Sequence, residues 1–459
     1  MHASPPDSGA TPASSRAAWL ERRATHADAA QDAPKERHNW FLYAFLVLLP
    51  LQNVQTGYIP NLGGGFNFLN IGFALSLIGA WRCRGTLTHW SSVHGWILAY
   101  ILYSLLSLYV GYANVQSETE EHFNFLKDSI VAVLLVFIAQ MSVSGWSTLK
   151  RVILVTLLPL PYMLRVTWNE HASVSRWHYS DALRISGTFS ELGANEFAAF
   201  CVSMAIVLFA ILLSARLSMK WRLALAAGIA CMALGVLWTY SRTAYIALLL
   251  GIVSVMLLWR GRWKMLLPLF AAALIAPNFI PVSVIERFDS TTIEEGKRDE
   301  STEMRFEFWS IAWNNFTEHP LVGSGYHTFH HHEINPRNMD THNFFMRELT
   351  EKGLIGIFIT IGMLLSILRA CWRTMRDAPP GSLAYALGLG MVGVWLALML
   401  GNCFGDRFTY YPVIGYFWVY LGLTLKAREL VDGGERATPA ARVGAPRRFA
   451  QPRQEGAHV

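Results

Sequence analysis

Four stretches of this 459-residue chain combine residue types that can bind or activate polar groups. The first is Arg184, followed by Ser186-Gly187-Thr188-Phe189 and Gly193-Ala194-Asn195. The glycines predict a tight turn leading into an apolar run. An arginine beside a helix N-terminus suits an anionic group, though it can equally anchor a chain at a membrane interface. The second is Ser241-Arg242-Thr243, wedged between two apolar runs with almost no loop. A charge so close to hydrocarbon needs a partner or a water-filled cavity. The third is Arg305, whose guanidinium can grip phosphate through a planar fork or pair locally with Glu303 or Glu307. The fourth is His342 in Thr341-His342-Asn343, the residue type that serves as a general base near neutral pH. Lys127 starts an apolar run beside Glu118, Glu120 and Glu121, and is open to a phosphate contact or a salt bridge. Several arginines suit a diphosphate, a membrane border suits one attached to a lipid, and histidine suits activation of a hydroxyl. Those roles describe group transfer from a lipid diphosphate. They would also describe a non-enzymatic anionic-lipid transporter or flippase.

Other polar groups point elsewhere. His327, His330, His331 and His332 invite a metal reading. Adjacent histidines splay apart, however, and neither HExxH nor a carboxylate spacing accompanies them, so a solvated loop and no metal site are expected. Asp406-Arg407 reads as a local ion pair. The five cysteines lie in or beside apolar runs without CxxC, which argues against a disulfide framework.

The elements that must position these residues are membrane helices. Charged residues make up 15% of the chain, against roughly 25% in a soluble domain. Hydrophobic residues make up 53%, with 17 Trp, 26 Phe and 16 Tyr, which excludes both a soluble and a disordered protein. Apolar segments fall at 40–60, 66–81, 93–113, 126–144, 149–165, 196–215, 221–239, 241–259, 263–281, 353–372, 382–402 and 408–425. The expectation is an all-α polytopic membrane protein of about 12 transmembrane helices. Pro50 and Gly63-Gly64-Gly65 make the first two spans short or irregular. The net charge is +6. Its basic residues cluster in alternate short gaps (Arg82/Arg84, Lys150/Arg151, Arg216/Lys220/Arg222, Arg260/Arg262/Lys264, Arg369/Arg373/Arg376). That pattern indicates membrane topology rather than nucleic-acid binding, and it puts both termini in the cytoplasm. Residues 1–38 and 426–459 read as disordered cytoplasmic tails, with no secretory signal at the start. Transmembrane helices 1–9 occupy 39–281, with an outer loop at 166–195. A large extracytoplasmic loop spans 282–352, and helices 10–12 occupy 353–425. Within the large loop, Arg305, Trp309, Ala312/Trp313 and Phe316 recur at helical spacing. They predict an amphipathic helix over 301–319 at the outer interface.

The sequence resembles the O-antigen ligase and polymerase superfamily of bacterial membrane proteins. The resemblance rests on Arg184 with Gly187-Thr188-Phe189 and Asn195, and on Ser241-Arg242-Thr243-Ala244. It continues through Arg305, Trp309, Ala312, Phe316 and His319-Pro320-Leu321-Val322-Gly323-Ser324-Gly325, then His342-Asn343 and Glu351-Lys352-Gly353-Leu354-Ile355-Gly356. Within the superfamily it is most similar to the O-antigen ligases, with a polymerase on the same scaffold as the alternative. The resemblance implies a GT-C-type glycosyltransferase of the Gram-negative inner membrane, with a periplasmic active site and no metal or other cofactor. The implied donor is undecaprenyl-diphosphate-linked O-antigen and the implied acceptor a core-sugar hydroxyl of lipid A-core. It places a catalytic role on His342 and diphosphate roles on Arg184 and Arg242. Arg305 matches the loop motif without a fixed role.

Overall fold

A computed structural model describes residues 37–54, 67–83, 90–115, 119–174, 180, 183–264, 282–289, 292–294, 297–298 and 300–443. The expected N-terminal tail, the Gly63-Gly64-Gly65 run and most of the expected span 263–281 lie outside these residues.

The described chain is helical. In order the helices are α1 (Trp40–Leu48), α2 (Phe68–Arg82), α3 (Ser92–Asn114), α4 (Thr119–Ser142), α5 (Trp146–Leu157), α6 (Leu160–Ala172), α7 (Ala194–Ser214), α8 (Met219–Trp238), α9 (Arg242–Leu258), α10 (Val282–Asp289), α11 (Glu300–Glu318), α12 (Phe344–Asp377), α13 (Leu383–Asn402) and α14 (Tyr411–Val443). One short antiparallel ladder, β1 (Thr292–Glu294) with β2 (Lys297–Arg298), precedes α11.

Among the described residues, six helices are long and apolar enough to cross a membrane: α3, α4, α7, α8, α12 and α13. Helices α2 and α9 are apolar but shorter. The expected span 149–165 is instead two helices, α5 and α6, which meet at Leu158-Pro159. A proline has no N–H for the preceding turn and its ring clashes with that turn's carbonyl. The C-terminal tail expected from 426 is not what residues 426–443 adopt. Helix α14 runs through them, Ala427 is fully buried, and Lys426 Nζ pairs with Glu429 Oε2 at 2.9 Å.

Helices α7 and α13 are apolar all round and lie at the centre, where α7 packs on α8 and α13, and α13 on α9 and α12. That is the expected place for a helix without a polar face. Helix α14 packs chiefly against α4. The peripheral helices leave apolar rows uncovered: Leu98, Leu102, Leu105 and Tyr109 on α3, Phe358, Ile361 and Leu365 on α12. Such rows are unfavourable against water and favourable against lipid tails, as in a membrane protein.

Helix α12 is broken at Gly353 (φ 64°, ψ −165°). A side chain rarely tolerates this conformation. The break frees backbone groups, and the segment 320–325 takes them up. Leu354 N donates to Pro320 O (2.9 Å) and Ile355 N to Leu321 O (3.2 Å); Ser324 N donates to Thr350 O (3.0 Å) and Gly325 N to Glu351 O (2.9 Å). On its other side this segment leans on α3, where Tyr326 N donates to Ser107 O and Asn114 Nδ2 to Ser324 O. The two glycine-rich motifs, 319–325 and 351–356, are therefore two halves of one joint.

Candidate functional site

Five separate pieces of chain meet around a cavity of about 370 Å³. They are the turn before α7 with the start of that helix, the start of α9, one face of α11, and the turns that precede α12 and α14. The cavity brings Arg184, Arg242, Arg305 and His342 together.

Arg184 sits on a braced turn. Glu170 at the end of α6 accepts from the N–H groups of Ser186 (3.0 Å) and Gly187 (2.8 Å), and Thr188 Oγ1 donates to Pro50 O (2.7 Å). Gly187 has φ 55°, and a Cβ there would meet the Phe197 ring at 2.7 Å. The Arg184 guanidinium donates to Asn195 Oδ1 (2.7 Å) and to Thr239 O (3.4 Å), both neutral acceptors. The same Asn195 oxygen accepts from Ser241 Oγ (2.9 Å). One amide at the head of α7 thus fixes both the Arg184 turn and the entry to α9, whose first residue is Arg242. The opening turns of α7 and α9 both line the cavity. Helix N-termini present unpaired N–H groups and a positive dipole end, so they reinforce the arginines toward an anion.

His342 stands on a left-handed turn (φ 51°) just before α12. For a non-glycine residue this is a strained conformation that the surroundings must hold. Trp309 Nε1 donates to Thr341 O (3.0 Å), and Thr341 Oγ1 donates to Asn343 O (2.8 Å). Asn343 Oδ1 caps α12 by accepting from Phe345 N and Met346 N, and Phe344 N donates to Gly405 O (3.1 Å). Tyr240 (φ 50°), next to Ser241, is also strained and also lines the cavity. Burial lowers the proton affinity of His342, Asp340 opposes this, and Arg305 and Arg407 add to it. The imidazole is therefore held neutral, the form that accepts a proton.

The helix expected over 301–319 is present as α11 (Glu300–Glu318). Its buried side is Phe308 and Ala312, packed with Phe329 and flanked by Met304 and Ile311. Trp313, expected on the apolar stripe, is exposed. Arg305 lies at the margin of the buried side and reaches the cavity.

Three sequence expectations meet different surroundings. Lys127 does not line this cavity: its Nζ donates to Asn124 Oδ1 (3.2 Å) and lies 3.5 Å from Asp128 Oδ1. Asp406 and Arg407 do not pair with each other. Asp406 pairs with Arg347 on α12, and Arg407 with Glu196 on α7. The loop histidines are not all solvated. His327 is buried and stacks on Phe125 with ring centroids 3.9 Å apart, and His331 is buried too. His331, His332 and Glu333 bring ligand-type atoms within 4.8 Å of one another, but His332 and Glu333 are exposed and none of the three lines the cavity.

Sequence reasoning passed over Glu196, Asp340 and Tyr410, which line the cavity beside Arg407. Asp340 is two residues from His342, and that proximity was the available signal. Glu196 directly follows Asn195, inside the first turn of α7.

The cavity can accept an anion between arginines and hold a neutral histidine beside it. No curated protein matches the chain. Residues 227–361, a stretch that holds Arg242, Arg305 and His342 but not Arg184, match the O-antigen ligase family. That match lies in the region that supplies most of the cavity's chemistry, and over it the chain is similar to the O-antigen ligase family.

Proposed function

We propose that the protein is an O-antigen ligase of the Gram-negative inner membrane, with the cavity open to the periplasm and both termini cytoplasmic. It transfers O-antigen polysaccharide from undecaprenyl diphosphate to a core-sugar hydroxyl of lipid A-core. The observation that carries this reading is the gathering of Arg184, Arg242, Arg305 and His342 around one cavity.

His342 takes the proton of the acceptor hydroxyl as its oxygen attacks the anomeric carbon. The bond from that carbon to the diphosphate oxygen breaks with its electron pair, and in-line attack inverts the configuration. Negative charge grows on the departing diphosphate. Arg184 and Arg242, with Arg305 at the rim, stabilise that charge more in the transition state than in the ground state. Arg184 is prepared for this role because its hydrogen-bond partners among the described residues are neutral, an amide oxygen and a backbone carbonyl. The arginines fill the place of the divalent cation that other glycosyltransferases use, and the reaction proceeds in EDTA.

The test is direct. The purified protein is incubated with undecaprenyl-diphosphate glycan and lipid A-core, and mass spectrometry reads which lipid carries the sugar. Glycan on lipid A-core with free undecaprenyl diphosphate is the expected result. A longer glycan still on undecaprenyl diphosphate would make the protein a polymerase and leave the roles of His342 and the arginines in place. Movement of lipid with no new bond would sink both.

A further inference from the structure

Asp340 occupies the wall between two cavities. On one side is the 370 Å³ cavity with His342. On the other is a small pocket of about 40 Å³, lined by Phe125, His327, His330, Arg347, Glu351, Asp406 and Tyr410. That pocket belongs to a buried ionic cluster. Arg347 pairs with Asp406 and lies 3.9 Å from both Glu348 and Glu351, while Lys352 Nζ meets Glu348 Oε1 at 2.7 Å. With Asp340 counted, two cations face four carboxylates, so the cluster is one that tolerates an added proton. Asp340 itself bonds only its neighbour Thr341, through Thr341 N at 2.7 Å and Thr341 Oγ1 at 3.4 Å. No cation is paired directly with it among the described residues.

We propose that Asp340 is a positioning residue for His342: its carboxylate stabilises the imidazolium that forms when the acceptor hydroxyl gives up its proton. The proposal rests on the reading of His342 as the general base. In the step, the hydroxyl O–H bond breaks, its proton moves to the imidazole, and the new charge lies beside Asp340. The strained His342 turn, tied down through Thr341 and Asn343, keeps the ring on the same cavity wall as that carboxylate. Other charges face the ring from every side. Arg305 comes from α11, Glu196 from α7, Arg184 and Arg242 from the turn before α7 and the start of α9, and Asp406, Arg407 and Tyr410 from the turn before α14. With Glu191 counted, four arginines and three carboxylates besides Asp340 line that cavity, and Asp340 is the carboxylate that most strongly favours the protonated ring of His342. Its own proton affinity is raised, by burial first and by Asp406 second.

Two measurements on the full-length protein in detergent test this. The first needs no activity: the ring ¹⁵N signal of His342, identified by its loss in His342→Gln, is titrated in the native protein and in Asp340→Asn. Removing the carboxylate should move the titration to lower pH by about one unit or more, and Asp340→Glu should restore it. The second is the pH profile of glycan transfer. Asp340→Asn should lower the plateau rate about tenfold or more and carry the acid limb downward with the titration. Asp340→Glu should regain both, a pattern that simple loss of folding does not produce. An unmoved His342 titration would overturn the proposal, as would a full plateau rate in Asp340→Asn. Absence of transfer by the native protein would sink the ligase reading, while the titration still decides whether the pair exists.

Discussion

Around Arg347, charge is answered by charge from the protein itself. Asp406 pairs with it, Thr409 Oγ1 accepts from it at 2.5 Å, and Glu348 and Glu351 stand close by, all of them buried. Around Arg184, on the turn before α7, the guanidinium meets an amide oxygen and a backbone carbonyl and is half-buried on an open cavity. The first arrangement is complete without a ligand. A buried ion pair of that kind costs desolvation and adds little stability, but losing one partner strands the other. The second arrangement keeps positive charge where an anion can reach it. The contrast separates an arginine that holds the fold from one that faces the open cavity and that the proposed reaction uses.

Substitutions should respect that division, and the largest effect is expected at the base. His342→Ala should lower turnover about 10²–10⁴-fold, or about 2.7–5.5 kcal/mol of barrier, while thermal unfolding in detergent stays near the native value. Near-normal turnover would remove His342 from the mechanism. On the structural side, Arg347→Ala should cost about 3–5 kcal/mol of stability because Asp406 is left buried and unanswered. A stable, monodisperse Arg347→Ala protein would break the contrast. Arg242→Ala should leave folding intact and slow transfer about 10²–10³-fold. Arg242→Lys should fail to rescue it, since a lysine lacks the planar fork. The pH profile gives a smaller, signed effect. Burial, Arg305 and Arg407 disfavour protonation of His342. The base form therefore survives to lower pH, and the acid limb of kcat/KM should lie below the ordinary histidine value. A limb above that value would mean that another group titrates. Lys127→Ala should do least, changing stability by about 0.5 kcal/mol or less and leaving turnover unchanged, because its contacts are local, only partly buried and away from the cavity.

Much of this was legible in the sequence, for physical reasons that also explain the failures. Long apolar runs identify α3, α4, α7, α8, α12 and α13, because a helix in lipid satisfies its own backbone and needs only length and hydropathy. Arg242 and Arg184 stood out because charge at the edge of an apolar run demands an explanation. Pairing was harder. Asp406 and Arg407 are adjacent, yet neighbouring side chains on an extended turn point apart, and each finds a partner on a different helix. His327 looked solvated from its company of histidines, but the rings of Phe125, His330 and His122 pack around it. Lys127 was open to a phosphate contact or a salt bridge, and the acid it lies beside is Asp128, its neighbour in sequence, rather than one of the loop before it. The break at Gly353 falls where the hydropathy pattern starts a span, but its partner segment was not legible. A glycine in an apolar run signals a bend, and nothing in the run tells which distant segment will fill it.

That joint has a consequence for how relatives of this protein can differ in length. The four backbone bonds between 320–325 and 350–355 are counted residue by residue. One residue inserted between His319 and Gly325 would shift all of them by a register, and with them the start of α12 and the His342 turn. Between α9 and α11 the described backbone pairing is local, the β1–β2 ladder and two turns, and it ties no residue there to a distant segment. Natural variation in chain length should therefore gather before α11 and vanish from 319–325 and 350–356, so that the loop can be rebuilt for a different glycan while the histidine keeps its place.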